Sequence, residues 1–430
     1  MLLRAKNIAS ACSCGGNHSI MTSRLECCDG ATDMLIGFIK EKYAPQSALI
    51  VCDENTEKYT GPMIRSLCCK SFVLPGSAHA NETETARLGN YIKSAGKPSV
   101  MIACGSGSVH DITRYCAHEI GVDFVSYPTA ASVDGFVSGV AAMTMYGQKL
   151  TYPSSSPVAL FAEPSVFCDA PQRLTASGVG DMIGKITALF DWQVSHILTD
   201  EALCPEIFSV MNDALGEILR AAGSKDSVDS KEFPVLVMNG LILSGLAMQL
   251  AGNSRPASGS EHHLSHFWEM HVANEPTDAL HGEKVGVGTV LMLSHIKAND
   301  KLIGEDLSID IGRTFEESVV SPVYKGLTKG ILNENAPNGH SSSALAKLGR
   351  DSLKSNAKIL KTLVDALPSP ENAASVLAAV GAPVTLSDIA LPSDTGFINT
   401  SLMFSPYVRN RLTFAKIISA ARLTGGASCQ

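Results

Sequence analysis

Short apolar runs alternate with amphipathic segments in the first part of the chain, and this alternation limits the fold more than any other feature. Residues 47–56, 97–108 and 122–132 read as strands with their adjoining loops, and residues 81–96 have a helical pattern. Strands that alternate with helices are typical of a parallel sheet covered by helices. We therefore predict an α/β domain with a parallel sheet in residues 1–165.

The character of the sequence changes after Tyr152. Residues 151–174 are rich in proline and serine and suggest a crossing segment, and from Thr175 onward apolar residues recur at helical spacing. We predict an all-α helical domain over residues 166–430. Because domain interfaces are favoured places for ligand sites, we expect the active site in the cleft between the two domains.

Residues 235–252 form an uncharged run of about the length of a membrane span. A membrane span and a helix buried at the centre of a helical domain both fit this run. Asn239, Ser244 and Gln249 interrupt it, and neither a second span nor a basic flank accompanies it. We predict a buried helix and no membrane insertion.

Charge and cysteine content indicate the environment of the protein. Its 34 Lys and Arg against 42 Asp and Glu give a net charge of −8 without a basic block, so we expect no nucleic-acid partner. Twelve cysteines in a chain of this length, without an apolar signal segment, predict a reduced cytoplasmic protein. Cys12 and Cys14 with His18 suggest half of a zinc site. No second cysteine pair follows at zinc-finger spacing, so the sequence does not favour structural zinc.

The segment CGSGSVHD, residues 104–111, places glycines where a predicted strand meets a helix. Such a turn lets a phosphate approach the N–H groups of the helix, or it only caps the helix. Asp53, at the end of an earlier strand, also has two interpretations. It accepts ribose hydroxyls, which favours NAD over NADP, or it is a helix N-cap. The residues alone leave both questions open.

A loop of small polar residues follows the strand that ends near Pro128. In residues 127–139, Thr129, Ser132 and Ser138 can donate hydrogen bonds to a cofactor, and Asp134 lies between them. Loops at the carboxyl ends of parallel strands commonly carry function.

Four of the twelve histidines fall within residues 258–271. His262 and His266 are four residues apart and share a helix face, whereas His263 points about 100° away. Two of the three histidines His262, His266 and His281 can join Asp181 to give two imidazoles and a carboxylate, an open ligand set for a catalytic divalent metal. The alternatives are hydrogen-bonded core histidines and a helix N-cap role for Asp181.

Several segments together resemble a known family. GSGSVHD, PTAASVDGFVS, SGVGDMIGK, SGSEHHLSH and LHGEKVGVGT occur in its order, and CSCGGNH, ILNENAPNG and SPYVRNRLTF are similar to its bacterial branch. The family is sn-glycerol-1-phosphate dehydrogenase, within the iron-alcohol-dehydrogenase and dehydroquinate-synthase superfamily. The resemblance implies a Rossmann-like first domain, NAD with NADP as an alternative, and one divalent metal, with zinc or nickel the leading choices. It also implies hydride transfer at C2 between dihydroxyacetone phosphate and sn-glycerol 1-phosphate.

The resemblance also implies roles for individual residues. Asp134 and His266 would be catalytic and would contact substrate, as would Asp181. The metal ligands would be Asp181, His262 and His281. The cofactor contacts would be Asp53, Gly107, Ser108, Val109, His110, Asp111, Thr129, Ala130, Ala131, Ser132 and Ser138.

Related activities share this scaffold. Glycerol dehydrogenase, another metal-dependent alcohol dehydrogenase and, less closely, dehydroquinate synthase are alternatives, as is a non-catalytic nucleotide-binding or metal-storage protein. A phosphorylated triose or glycerol substrate needs a cation for its phosphate, and Arg255, Lys185, Arg409 and Arg411 are open candidates. We expect a homodimer, the commonest assembly of soluble oligomers.

Overall fold

The computed structural model describes residues 1–270, 276–304, 317–336, 344–349 and 351–424. They form two compact units. The first comprises residues 1–182 and 209–254, and the second comprises residues 183–208 and the chain from Arg255 onward. The division into domains at residues 165/166 stays a prediction, since each compact unit draws on two separate stretches of the chain.

All strands of the described residues belong to the first unit. In chain order they are β1 Arg24–Cys27, β2 Ala48–Asp53, β3 Lys70–Leu74, β4 Val100–Gly105, β5 Asp123–Pro128, β6 Val140–Met145, β7 Gln148–Pro153 and β8 Ala159–Ala162.

Six strands form one sheet in the order β1-β8-β5-β4-β2-β3, and every neighbouring pair in it is parallel. Strands β6 and β7 form a separate antiparallel hairpin. Strands β2 and β4 are buried along their whole length, as expected of central strands covered by helices. The predicted parallel α/β sheet is therefore confirmed. Residues 151–174 do more than cross between domains, because they include β8, which pairs with both β1 and β5.

The carboxyl ends of the central strands lie side by side at one edge of the sheet. The pairs Val51–Ala103 and Gly105–Pro128 set the register of β2, β4 and β5. Asp53, the turn after β4 and the loop after β5 consequently leave the sheet at the same edge. In parallel α/β sheets, this is the edge where ligands bind.

Helices make up most of the remaining described structure. As far as Gly252 they are α1 Leu2–Ala11, α2 Ala31–Lys42, α3 Gly61–Leu67, α4 Glu82–Ala95, α5 Gly107–Ile120, α6 Pro164–Phe167, α7 Gln172–Ile183, α8 Lys185–Thr199, α9 Pro205–Ala222, α10 Lys225–Val228 and α11 Glu232–Ala251. Beyond it they are α12 Ser260–Trp268, α13 His281–Ala298, α14 Glu317–Tyr324, α15 Thr328–Asn335, α16 Ser352–Ser355, α17 Ala357–Ala366, α18 Pro370–Ala379, α19 Thr395–Phe404 and α20 Phe414–Thr424.

Helix α11 contains the uncharged run. It is the one helix of the described chain that is long and apolar enough to cross a membrane, and 72% of its most apolar window is buried. A Cβ on Gly245 would lie 2.4 Å from Val137 Cγ2, so the helix packs closely against the residues after β5. The predicted buried helix is confirmed as a core helix of the first unit.

The second unit is helical throughout its described residues, which confirms the predicted helical C-terminal region. Trp268, Tyr324, Tyr407 and Phe414 are among the large side chains of its apolar core. All nine residues of α12 are buried, so the histidine-rich segment lies inside this unit. His271 and the last three residues of the segment ILNENAPNG lie outside the described residues.

Candidate active site

The glycine turn between β4 and α5 is tightly packed. A Cβ on Gly105 would lie 2.5 Å from Val109 Cγ2, and one on Gly107 would lie 3.0 Å from Val133 Cγ2. Ser106 is the N-cap of α5 but makes no side-chain capping bond, and residues 106–108 are only half-buried. The N–H groups of the first helical turn can therefore receive an anion.

His110 and Asp111, in the same turn, use their side chains inside the first unit. His110 Nδ1 donates to the Ser106 carbonyl at 2.9 Å, and its Nε2 accepts from Ser126 Oγ at 2.8 Å. Burial lowers the pKa of His110 to about 3, so the ring is neutral. Asp111 Oδ1 lies 3.5 Å from Arg114 Nη1. The backbone of these two residues, rather than their side chains, is what the turn offers a ligand.

Asp53 caps the turn that follows β2. Its Oδ1 accepts hydrogen bonds from the N–H groups of Asn55 at 3.0 Å and Thr56 at 2.9 Å, and from Thr56 Oγ1 at 2.9 Å. Asp53 is therefore not a helix N-cap, the alternative that the sequence left open, because the next helical segment, Glu57–Tyr59, has Thr56 as its N-cap. These bonds do not involve Oδ2, the second carboxylate oxygen.

The loop after β5 packs against helix α7. Thr129, Ala130, Ala131 and Ser132 are all buried. A Cβ on Gly178 of α7 would lie 2.1 Å from the carbonyl oxygen of Ala131, so only a glycine fits there without movement. Ser132 Oγ is buried and has no hydrogen-bond partner among the described residues. The packing thus fixes a loop whose last hydroxyl suits a ligand contact.

Asp134 and Asp181 are linked within the first unit. The N–H of Asp134 donates to Asp181 Oδ2 at 3.0 Å, and Ser244 Oγ donates to Asp134 Oδ2 at 2.8 Å. Asp134 is 9% exposed and Asp181 is completely buried. Asp181 lies in the last turn of α7 rather than before its first turn, so the N-cap interpretation is wrong. Both carboxylates are held in fixed positions.

Arg114 organises the residues after Asp134, and the sequence reasoning missed it. Its buried guanidinium donates to Ser138 Oγ at 2.7 Å and to the carbonyls of Gly135 and Val140. The hydroxyl of Ser138 therefore belongs to an internal network. A possible signal was the spacing of Asp111 and Arg114, three residues apart on a predicted helix.

The predicted histidine cluster is present in the second unit. The ring centroids of His262 and His266 on α12 are 6.1 Å apart. His281, the first residue of α13, has its ring centroid 5.3 Å from that of His262 and 6.0 Å from that of His266. His262 and His281 can each offer a ring nitrogen within 4.8 Å of the other. Two imidazoles at this separation can share one metal ion.

A carboxylate lies behind each of these two histidines. His262 Nδ1 is 2.7 Å from Glu261 Oε1, and His281 Nδ1 is 3.4 Å from Glu269 Oε1. Burial raises the pKa of Glu261, but the bonds from His262 and Thr187 outweigh it and bring the pKa below its usual value. A carboxylate next to Nδ1 favours the tautomer in which Nδ1 carries the proton and Nε2 carries the lone pair. It also orients the ring, as in metal-binding histidines. The sequence reasoning missed both glutamates.

His266 and His263 lie near cations. Burial lowers the pKa of both rings well below the usual range, and the charges of Arg409 on His266 and Arg411 on His263 lower it further. Nδ1 of His266 and both ring nitrogens of His263 have no hydrogen-bond partner in the part of the chain that the structure describes. A buried polar atom without a partner costs about 1–3 kcal/mol, so the His266 nitrogen is well suited to meet a ligand.

The four candidate phosphate contacts differ in their surroundings. Arg255 forms an ion pair with Glu201, and Lys185 is fully buried. Arg411 donates to a backbone carbonyl at 2.8 Å. Arg409 is the nearby charge with the largest effect on the pKa of His266. Among these cations, the electrostatics associate Arg409 most strongly with His266.

Comparison with known proteins assigns the fold to a class. A family model for iron-containing alcohol dehydrogenase matches residues 27–171. Glycerol dehydrogenase from Schizosaccharomyces pombe has a TM-score of 0.60 at 17% identity, over 95% of this chain and 92% of that structure. Sulfoacetaldehyde reductase from Bifidobacterium kashiwanohense, solved with NAD+, has a TM-score of 0.60 at 14% identity, over 95% and 97%. The chain has the fold of the iron-type alcohol dehydrogenases.

More similar relatives narrow this class to a family. A protein from Bacillus licheniformis is 35% identical over 339 residues, which cover 76% of this chain and 81% of the relative. A protein from Geobacillus stearothermophilus is 30% identical over 427 residues, which cover 95% of both chains. Each is named glycerol-1-phosphate dehydrogenase, with NAD(P)+ as the cofactor in its name. The chain belongs to the glycerol-1-phosphate dehydrogenase family.

Proposed function

We propose that this protein is a metal-dependent, NAD(P)-linked oxidoreductase that interconverts dihydroxyacetone phosphate and sn-glycerol 1-phosphate. The observation that carries the proposal is the pair of carboxylates on Nδ1 of His262 and His281. This arrangement prepares both rings to bind a cation through Nε2. The names of the relatives suggest the substrate.

The metal ligands in this proposal are Asp181, His262 and His281. Two imidazoles and one carboxylate leave a coordination position for substrate, and imidazole ligands suit both zinc and nickel. When bound, the ion supplies Lewis-acid polarisation of the substrate C2 oxygen. The part of Glu261 and Glu269 is to keep the two rings in the orientation and tautomer that ligation needs.

The cofactor site in this proposal follows the carboxyl edge of the sheet. The N–H groups of residues 107–111 at the start of α5 would hold the pyrophosphate. Residues 129–132, in the loop after β5, would contact the cofactor as well, and the buried Ser132 hydroxyl is one such contact. Oδ2 of Asp53 would accept a ribose hydroxyl, which disfavours a 2′-phosphate and favours NAD over NADP. Ser138 would contribute through its backbone, since Arg114 engages its hydroxyl. NAD(P) supplies or accepts the hydride.

Asp134 and His266 are the proposed catalytic residues. Ser244 fixes the Asp134 carboxylate through Oδ2, which suits a group that orients a substrate hydroxyl. His266 is neutral because burial lowers its pKa, and its Nδ1 can donate or accept the proton of such a hydroxyl. Asp181 would contact substrate as well as metal. Its bond from the Asp134 N–H ties the two acidic residues together.

Arg409 is the proposed anchor for the substrate phosphate. A guanidinium can form two parallel hydrogen bonds to phosphate oxygens, and the charge of Arg409 already acts on His266. We further propose a cytoplasmic homodimer, since closed two-fold assemblies are the commonest among soluble enzymes.

The decisive experiment is NADH oxidation by the purified protein with dihydroxyacetone phosphate, compared with dihydroxyacetone. NAD+ reduction with glycerol completes the panel. We expect turnover with the phosphorylated substrate, loss of it on chelation, and recovery when Zn²⁺ or Ni²⁺ is restored. A chiral assay should identify the product as sn-glycerol 1-phosphate. Equal rates with the unphosphorylated ketone would instead indicate a glycerol dehydrogenase.

Variants connect this activity to the metal ligands. His262→Ala should lose the metal and turnover together, because one of three ligands is removed. The matched control is His263→Gln, which replaces the neighbouring buried histidine and should retain the metal. The assignment fails if His262→Ala keeps normal activity after complete metal removal.

A further inference from the structure

A second cluster of metal-binding side chains lies in the first unit, away from the histidines of α12. Cys12 is the C-cap of α1, and Cys14 and His18 lie on the loop that follows it. One ligand atom from each of these three residues lies within 4.8 Å of the other two. Neither cysteine is in a disulfide. Two thiols and an imidazole at this separation can reach one metal ion.

The orientation of His18 matches that of a metal ligand. Its Nδ1 donates to the carbonyl of Leu250 at 2.8 Å, and its Nε2 lies 3.0 Å from Cys14 Sγ. A carbonyl on one ring nitrogen favours the tautomer in which the other nitrogen carries the lone pair. The nitrogen that can bind a cation is therefore directed at the cysteine sulfur.

The loop between Cys14 and His18 is adapted to the sulfur as well. The N–H of Gly16 donates to Cys14 Sγ at 3.3 Å, a bond that favours the thiolate form. A Cβ on Gly16 would lie 3.1 Å from His18 Cε1 and 3.3 Å from Cys14 Sγ, so any side chain would crowd both groups. Gly15 has a φ of +78°, which an L-residue adopts only with strain. The two glycines allow the chain to wrap closely around the cluster.

We propose that Cys12, Cys14 and His18 hold a structural zinc ion. Thiolate and imidazole ligands favour zinc over magnesium or calcium. The ion would fasten the chain around α1 to the rest of the protein and would take no part in hydride transfer.

The first test counts zinc in a His262→Ala protein, from which the proposed active-site ion is absent. After loading with Zn²⁺ and removal of the excess, we expect one tightly held zinc per chain, measured by elemental analysis. Cys14→Ser in the same background should abolish this zinc, and Cys12→Ser should do the same. The matched control is Cys68→Ser, an exposed cysteine outside the cluster, which should leave the zinc content unchanged. Equal zinc content with and without Cys14 would overturn the proposal.

A second measurement avoids dependence on how the cysteine variants fold. Co²⁺ in place of Zn²⁺ in the His262→Ala protein should produce thiolate-to-cobalt charge-transfer absorption, with the d–d bands of a tetrahedral site. An organomercurial that modifies thiols should release the zinc into a chromogenic chelator at one equivalent per chain. Absence of the thiolate band, or isolation of Cys12 and Cys14 as a disulfide after purification under reducing conditions, would refute the assignment. None of these readouts uses enzyme turnover, so the result is independent of the proposed function.

Discussion

Replacing Gly178 with alanine tests whether α7 must contact the loop after β5. In the interior of a helix, alanine normally stabilises by about 1 kcal/mol relative to glycine. At this position, however, the added Cβ would lie 2.1 Å from the carbonyl oxygen of Ala131. Carbon and oxygen atoms in close contact lie about 3.3 Å apart, so the helix or the loop must move by roughly 1 Å.

The steric cost should exceed the gain in helix propensity. Overpacking a buried site typically costs about 1–3 kcal/mol, and the clash involves backbone rather than a flexible side chain. We therefore expect Gly178→Ala to lose about 1–2 kcal/mol in the free energy of unfolding, measured by urea denaturation. Displacement of Ala131 and Ser132 should also weaken NADH binding, measured by fluorescence titration.

Gly89 provides the matched control. It lies inside helix α4, and a Cβ there would have no atom within 4 Å, so alanine should stabilise by about 1 kcal/mol. If the free energy of unfolding falls in Gly178→Ala and rises in Gly89→Ala, the difference between the two helical glycines is due to the contact with Ala131. If Gly178→Ala is as stable as Gly89→Ala and binds NADH normally, the close packing of α7 on this loop is wrong.

Three further outcomes follow from individual side chains of the candidate site and its surroundings. The pKa of His110 is about 3 in the folded protein against 6.5 for an ordinary histidine, so below pH 6.5 only the unfolded chain gains the proton. Urea denaturation should show that the wild type loses about 1.4 kcal/mol per pH unit between pH 6.5 and 3 relative to His110→Gln. Glu261→Gln should lower metal affinity about 10–100-fold in a chelator competition, because His262 loses its carboxylate partner. Arg409→Met should raise KM for dihydroxyacetone phosphate at least about 10-fold while activity with dihydroxyacetone stays unchanged; equal losses with both ketones would rule out the phosphate role.

The central sheet could be predicted because its strands are buried on both faces. Strands β2 and β4 are continuous apolar runs that end in an acidic residue or a glycine turn, and both signals are local. The four-residue edge strand β1 and strand β8 were not predicted. Such short segments become strands because of the strands that they pair with, which the local sequence does not reveal. In addition, β8 lies in residues 151–174, whose proline and serine are typical of loops.

The candidate site was predictable only in part. Spacing of four residues correctly placed His262 and His266 on one face, because helix geometry alone determines that. Arg114, Glu261 and Glu269 were missed because their roles depend on which groups the fold brings next to them. A charged residue inside an apolar segment indicates a buried charge that needs a partner, but the sequence does not identify which group that partner is.

The hydrogen-bond partner at Nδ1 distinguishes the proposed metal ligands from the proposed substrate contact more clearly than the positions of the rings do. His262 and His281 have a carboxylate there, and His18 has a backbone carbonyl, so all three rings can direct Nε2 at a cation. His266 has no partner at Nδ1 among the described residues, although its ring lies about as far from His281 as from His262. Proximity alone would make His266 another metal ligand. The absence of an orienting group at Nδ1 favours a substrate contact instead, because this buried nitrogen can itself meet a substrate hydroxyl.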